Sequence, residues 1–307
     1  MSTVTLLQSN SQAENASLLE RAVGAKMSHS AGRRVGVIGA GIAGLVTAKV
    51  LKADGFVVTL FEKQAELGGV WTTAHTYPGL RANNPRETYA FADFPYPPTA
   101  DEYPTAEQVR AYLNAYADHF GVRPLIRFAT EVVSVAKAGE AFIVVVRPVN
   151  GDAETLSFDF VVVCNGVFSE PALPPIAGQE HFAGPLLHSS QLTDPALVAG
   201  RRVVVVGAGK SALDCATWAA HHGERCTLVF RTPHWMAPRY FFGRIRADRF
   251  FMTRVTELFR YHHRRGIEAI HHGPAKPLVR RWRIRAVLAP CARSHYPDAG
   301  DTVARRL

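Results

Sequence analysis

Short unbroken apolar runs alternate along this chain with segments whose apolar positions recur at helical spacing. Val35-Gly-Val-Ile38 is such a run; a glycine turn follows, and Ile42 to Asp54 carries the helical pattern until Gly55 stops it. Phe56 to Phe61 is the next run. Short apolar runs bounded by turn residues read as buried strands, so this order predicts a β-turn-α-β unit in a parallel sheet with a crossover helix. The plan then starts afresh, with Arg202–Val206 as a strand, a second glycine turn, Ser211–His222 as a helix and Cys226–Phe230 as a strand. Two copies are too few for a solenoid, and the expected class is α/β.

Between the two units the pattern changes. Leu67 to Pro98 is rich in Gly, Pro, Asn and aromatics and predicts an ordered, irregular loop; loops this long inside a domain usually serve a ligand. Thr105 to Phe120 is amphipathic, with Thr105 as N-cap and Gly121 as stop. Glu131–Val135 and Phe142–Arg147 alternate and predict an antiparallel excursion, with a turn at Val149-Asn-Gly-Asp152. Phe158 to Cys164 reads as another buried strand. A Pro-rich connection, Pro171 to Pro175, separates the halves. After Arg231 the sequence turns irregular and then helical in pattern to about Val287. The expected organisation is an extension over 1–32, a first domain over 33–170, a second over 171–290 and a tail over 291–307.

Composition narrows the class. Of 307 residues, 47% are hydrophobic and 20% charged, which favours a sizeable core over wholesale disorder. No apolar stretch is long enough for a membrane helix, and the first thirty residues are Ser-, Ala- and Gln-rich without an apolar signal core. Cys164, Cys215, Cys226 and Cys291 are scattered, which argues against a disulfide framework, a metal site or a dithiol centre and makes a reducing cytoplasm the default. The net charge of +9 owes much to the stretch from Arg244 to Arg293. Such a stretch attracts polyanions or forms solvated helix faces; no nucleic-acid motif accompanies it, which favours the second reading.

The glycine turns carry the chemistry. In Gly39-Ala40-Gly41-Ile42-Ala43-Gly44 the first glycine permits a tight turn, the second admits a pyrophosphate and the third lets helix and strand pack closely. The helix N-terminus then offers free N–H groups to phosphate. Glu62 ends the following strand about twenty residues on, where a carboxylate accepts from a ribose diol. Gly207-Ala208-Gly209-Lys210-Ser211-Ala212 repeats the arrangement, but its second strand ends in Arg231. A carboxylate there repels a 2′-phosphate, whereas a guanidinium binds one bidentately. The asymmetry points to FAD at the first turn and NADPH at the second, in two Rossmann-like domains. Against this stand a plain glycine turn with a surface Glu, and a surface arginine without a ligand.

Residues between the turns resemble flavin-containing monooxygenases. Leu67-Gly-Gly-Val-Trp71 is similar to their G-G-x-W segment, Asn83-Asn-Pro-Arg-Glu87 to their N-x-x-K-E segment, and Phe91-Ala-Asp-Phe-Pro-Tyr-Pro97 to their F-x-D-F-P-x-P run. Phe182-Ala-Gly-Pro-Leu-Leu-His188-Ser189 resembles the fingerprint F-x-G-x-x-x-H-x-x-x-aromatic, with Leu192 where the family has an aromatic residue. The resemblance runs from about Arg33 to Pro238. It implies that Gly39, Gly41, Gly44, Glu62, Lys63, Val70 and Trp71 contact FAD. It likewise implies that Asn83 lies beside flavin and nicotinamide, that Gly207, Gly209, Ser211 and Arg231 hold NADPH, and that His188 couples nicotinamide binding to the flavin domain. Trp71 as a loop anchor, Asn83 bonded to its own loop and His188 as a buried histidine satisfied by a carbonyl are the plainer alternatives.

The chemistry implied is NADPH-dependent oxygenation of a small N- or S-containing compound by O₂ through a C4a-hydroperoxyflavin. Baeyer–Villiger oxygenation of ketones and N-hydroxylation share the cofactors. The resemblance also implies a returning flavin-domain strand with an A-T-G-Y-like turn, and nothing after Val287 looks like it. The expectation is therefore a truncated or short variant with weak FAD retention; the rival of a different class is a dinucleotide-binding remnant without turnover.

Overall fold

A computed structural model of the chain describes residues 32–232 and 239–251. β1 (Arg34–Ile38) leads through the first glycine turn into α1 (Ile42–Ala53), and β2 (Val57–Phe61) returns parallel to β1, with Gly36 opposite Thr59. The helix ends where glycine allows it. Gly55 adopts φ 89° and donates to the Lys52 carbonyl, and Phe56 donates to Leu51. Thr105 caps α2 (Ala106–His119) in a reciprocal capping box with Gln108. Val109, Tyr112, Leu113, Tyr116 and Ala117, spaced at three and four, turn one face of α2 into the core with Val35, Val37, Leu45 and Leu60. Lys52 binds the Phe120 and Gly121 carbonyls at 3.1 and 2.9 Å, satisfying acceptors just beyond α2.

β3 (Ile126–Arg127) and β7 (Phe160–Val163) complete a parallel sheet in the order β3-β2-β1-β7. Between them runs an antiparallel sheet of β4 (Thr130–Ala138), β5 (Ala141–Pro148) and β6 (Glu154–Phe158), in the order β4-β5-β6. The alternation predicts two of these three strands. It also predicts a single strand over Phe158–Cys164, and here the structure differs. Phe158 closes β6, and the chain changes sheets at Asp159, whose carboxylate accepts from Arg34 N at 2.6 Å. Phe158 lies in a second cluster with Phe61, Val144 and Val146, its ring edge-on to Phe61 at 5.9 Å.

The chain divides into two units between Thr193 and Asp194. In the second, β8 (Arg202–Val206), α3 (Lys210–His222) and β9 (Arg225–Val229) form the repeated β-turn-α-β unit, with β8 and β9 parallel. A short antiparallel pair, β10 (Tyr240–Phe241) and β11 (Ile245–Arg246), and one helical turn, α4 (Asp248–Phe251), follow. The extension before Gly32 and the helical expectation beyond residue 251 fall outside the described residues. The architecture is α/β, with a Rossmann-type unit in each part. No helix among the described residues is long and apolar enough to cross a membrane, and none of their His, Cys, Asp or Glu side chains gathers into a metal-binding group.

Candidate functional site

At the first turn the sterics demand glycine at both ends. Gly39 has φ 99°, and a side chain there would meet the Cys164 carbonyl oxygen at 2.6 Å. A Cβ on Gly44 would run into the Gly39 carbonyl oxygen. Gly41 is the N-cap of α1 and offers no side-chain cap, nor does the first helical turn hold an acid. The opening N–H groups of α1, beginning at Ile42 and the exposed Ala43, are left for a ligand.

Glu62 is buried and binds the turn itself. One carboxylate oxygen accepts from Ala40 N at 2.7 Å and the other from Gln64 N at 2.9 Å. An ionised carboxylate has about four acceptor sites, so each oxygen retains capacity for a ribose hydroxyl. Lys63 points elsewhere, to Glu170 at 2.6 Å on the surface.

A second wall comes from the glycine pair of the G-G-x-W-like segment, to which the motif reading gave no contact of its own. Gly68 and Gly69 have φ 131° and 61°, Gly68 N donates to the Ala40 carbonyl at 3.0 Å, and a Cβ on Gly69 would lie 3.2 Å from Gly41 Cα. The loop backbone thus lies against the glycine turn backbone. The sequence signal was the adjacent glycine pair, both at positive φ. Beyond it Val70 is exposed and Trp71 is buried. Trp71 anchors the loop, with Nε1 donating to Tyr89 Oη at 3.1 Å and its ring edge-on to Tyr89 at 5.8 Å. Asn83 is exposed in a bend, and its side chain forms no hydrogen bond among the described residues.

His188 is half-buried and caps a single 3₁₀ turn, Ser189–Gln191. Its Nδ1 accepts from Ser190 N at 3.2 Å, so the neutral ring carries its proton on Nε2. The plainer alternative for His188, a histidine satisfied by a carbonyl, differs from the bond seen at Nδ1, where the ring accepts from an N–H. Leu192, the departure from the fingerprint, is buried at 8% exposure as an aromatic residue there could be.

The second turn has the same outline with looser contacts. Gly207 has φ 142° and donates to the Val229 carbonyl at 2.9 Å; a Cβ on it would sit 3.1 Å from Ala212 Cβ. A Cβ on Gly209 would meet nothing within 4 Å. Gly209 is the uncapped N-cap of α3, which begins at Lys210, followed by exposed Ser211. Lys210 is ion-paired with Asp214 one turn on, and Ala208 is half-buried. Arg231 is exposed just past β9, with no ion pair among the described residues. The structure therefore brings Gly39–Gly44, Glu62 and the loop carrying Val70 and Trp71 to the first turn, and Gly207–Ala212 to the second, with Arg231 two residues beyond the strand end whose Val229 carbonyl accepts from Gly207 N.

Known proteins resemble this chain in sequence and in fold. A family model for flavin-binding monooxygenase-like proteins matches residues 32–271. Human flavin-containing monooxygenase 1 is 33% identical over 74% of this chain and 46% of its own length. A Baeyer–Villiger monooxygenase of Streptomyces coelicolor is 36% identical over 67% of this chain and 39% of its own. Among solved structures, S-allyl-L-cysteine S-oxygenase of Allium sativum superposes with a TM-score of 0.59 at 31% identity, over 68% of this chain and 53% of that one. OTEMO in complex with FAD and NADP gives 0.59 at 26%, over 68% and 40%. The chain spans about half the length of the curated relatives it matches. With a family model matched along most of its length and both glycine turns intact, the chain belongs to the flavin-binding monooxygenase-like family.

Proposed function

We propose that the chain forms the FAD- and NADPH-binding part of a monooxygenase that oxygenates small N- or S-containing nucleophiles with O₂. The first turn takes FAD and the second takes NADPH. The observation that carries this reading is the pairing of a buried acid with the first turn and, past the second turn's strand, an exposed arginine with no ion pair among the described residues. The residues fit the groups. Added Cβ atoms would crowd the cradle at Gly39, Gly44 and Gly69, and Gly41 between them keeps its backbone bare, which leaves room for a pyrophosphate to approach. The neighbour solved with FAD and NADP adds support.

When bound, the flavin supplies hydride acceptance and oxygen activation. The polypeptide binds, orients and excludes water. The N–H groups at the start of α1 and α3 would hold the phosphate oxygens of the two dinucleotides. Glu62 accepts from the flavin ribose, and its bonds to Ala40 N and Gln64 N fix the carboxylate before the ligand arrives. Val70 offers an apolar wall against water beside the anchored Trp71. Asn83 has an amide ready to donate to charge developing near the flavin. Arg231 pairs with the 2′-phosphate, and His188 serves the coupling between nicotinamide and flavin that the family resemblance implies.

Reconstitution of the purified chain with FAD tests the reading. Expected are saturable flavin uptake, held weakly enough to be lost on gel filtration, and NADPH oxidation above the free-flavin background. Flavin uptake without turnover favours a binding-only role for this stretch, and no flavin uptake overturns the reading. The Streptomyces relative supports a second chemistry, Baeyer–Villiger oxygenation. Products from a sulfide, an amine and a ketone separate the two.

A further inference from the structure

The second turn opens its helix on a charge pair that the first turn lacks. Lys210 is the first residue of α3, directly after the uncapped Gly209, and its ammonium is ion-paired with the Asp214 carboxylate one turn along the helix. Both side chains are half-buried. At the first turn the two corresponding positions are Ile42 and Val46, which carry no charge.

The pair runs against the electrostatics of its own helix. A cation at the N-terminus meets the positive end of the macrodipole. A base four residues before an acid is also the poorer order for an i,i+4 pair. Helix stability therefore does not account for a lysine at this place, whereas an anion at the helix start does. Lys210 lies within the glycine turn itself, where the helix N-terminus receives a pyrophosphate. The ammonium is nonetheless engaged by Asp214, which neutralises it beside that anion's place.

We propose that Asp214 competes with the coenzyme's pyrophosphate for the Lys210 ammonium and so keeps coenzyme binding loose at the second turn. Asp214 is a positioning residue, acting through Lys210. This rests on the reading of the second turn as the nicotinamide coenzyme site and deepens it. Lys210 serves the pyrophosphate that NADPH and NADH share, and Arg231 serves the 2′-phosphate that only NADPH carries. The ammonium turns to the phosphate when coenzyme binds and returns to Asp214 when it leaves.

Equilibrium titration of the full chain with NADPH and with NADH tests this on Asp214→Asn and Asp214→Glu, and on Asp214→Asn combined with Lys210→Met beside Lys210→Met alone. A half-exposed i,i+4 pair adds little to stability, so the variants are expected to fold. D214N should bind both coenzymes about tenfold more tightly, and the gain should shrink at high salt. D214E restores the pairing and with it the affinity of the unaltered chain. In the K210M background, D214N should change affinity by less than about twofold. No gain in D214N, an equal gain without Lys210, or a gain confined to NADPH overturns the role of Asp214 and leaves the second turn as the coenzyme site. If the unaltered chain binds neither coenzyme, both readings fall.

Discussion

The two glycine turns follow one plan and are held in opposite ways. The first is locked by the protein: Gly39 abuts the Cys164 carbonyl, Gly44 abuts Gly39, the Gly68–Gly69 backbone closes one side, and buried Glu62 ties the end of β2 to Ala40. The second is open: Gly209 has free space around it, Ala212 replaces the third glycine, and Arg231 stands exposed without an ion pair among the described residues. The difference suits a ligand that stays against one that comes and goes. A site formed in advance spends less of its binding energy on ordering, which favours a resident cofactor. An open turn with an exposed charge suits a coenzyme that comes and goes.

Steric substitution should break this comparison most sharply. Gly44→Ala adds a methyl with no room to move into and is expected to destabilise the first unit by about 3 kcal/mol, although alanine is the better helix former by about 1 kcal/mol. Gly209→Ala should leave unfolding unchanged and weaken only nicotinamide binding. Thermal unfolding of both variants checks this; equal stability of the two would mean that the first turn is not the tighter one.

The charged residues should differ by a similar but smaller margin. Glu62→Ala leaves the Ala40 and Gln64 N–H groups without their acceptor and is expected to cost about 3 kcal/mol at most. Arg231→Ala should change stability by no more than about 0.5 kcal/mol. Denaturant unfolding of the two variants makes the measurement, and a stability loss in Arg231→Ala as large as in Glu62→Ala would contradict the contrast.

Alkaline pH should sharpen the comparison further. Burial raises the Cys215 thiol from 9.0 to about 11 in the second unit. In the first it raises the Tyr116 phenol from 10.0 to about 12, with Tyr89, Tyr96 and Tyr112 shifted the same way. Each acid holds its proton longer in the folded chain. The stability it contributes is whole below the unfolded pKa and is lost as pH rises through the folded value. The second unit should therefore begin to weaken above about pH 9 and the first only above about pH 10. Fluorescence of Trp218 against that of Trp71 across this range resolves the order, and simultaneous loss would contradict it.

What was legible in the sequence is what repeats locally. Apolar runs located β1, β2, β8 and β9 to within a residue, because a short buried parallel strand shows as such a run. Thr105 and Gln108 announced the start of α2 for the same local reason. The change of sheet at Asp159 was hidden because apolar residues continue on both sides of it, and the break is marked by bonds made in space, from Arg34 N to the Asp159 carboxylate and from Asp159 N to the Arg34 carbonyl. Around the site the glycines, Glu62 and Arg231 were readable as motif positions. The closure of Gly69 on Gly41 and the anchoring of Trp71 by Tyr89 arise from contacts made in space, which spacing along the chain does not encode. His188 as the cap of a 3₁₀ turn was missed because histidine is not among the usual capping residues.

The account rests on the opposite charges at the ends of β2 and β9, and titration of Arg231→Glu with NADPH and with NADH, beside the unaltered chain, reaches it most directly. The predicted result is a loss of NADPH preference by at least about tenfold, equivalent to about 1.4 kcal/mol, with NADH binding little changed. A preference for NADPH that survives the reversal of charge would contradict the assignment of the second turn.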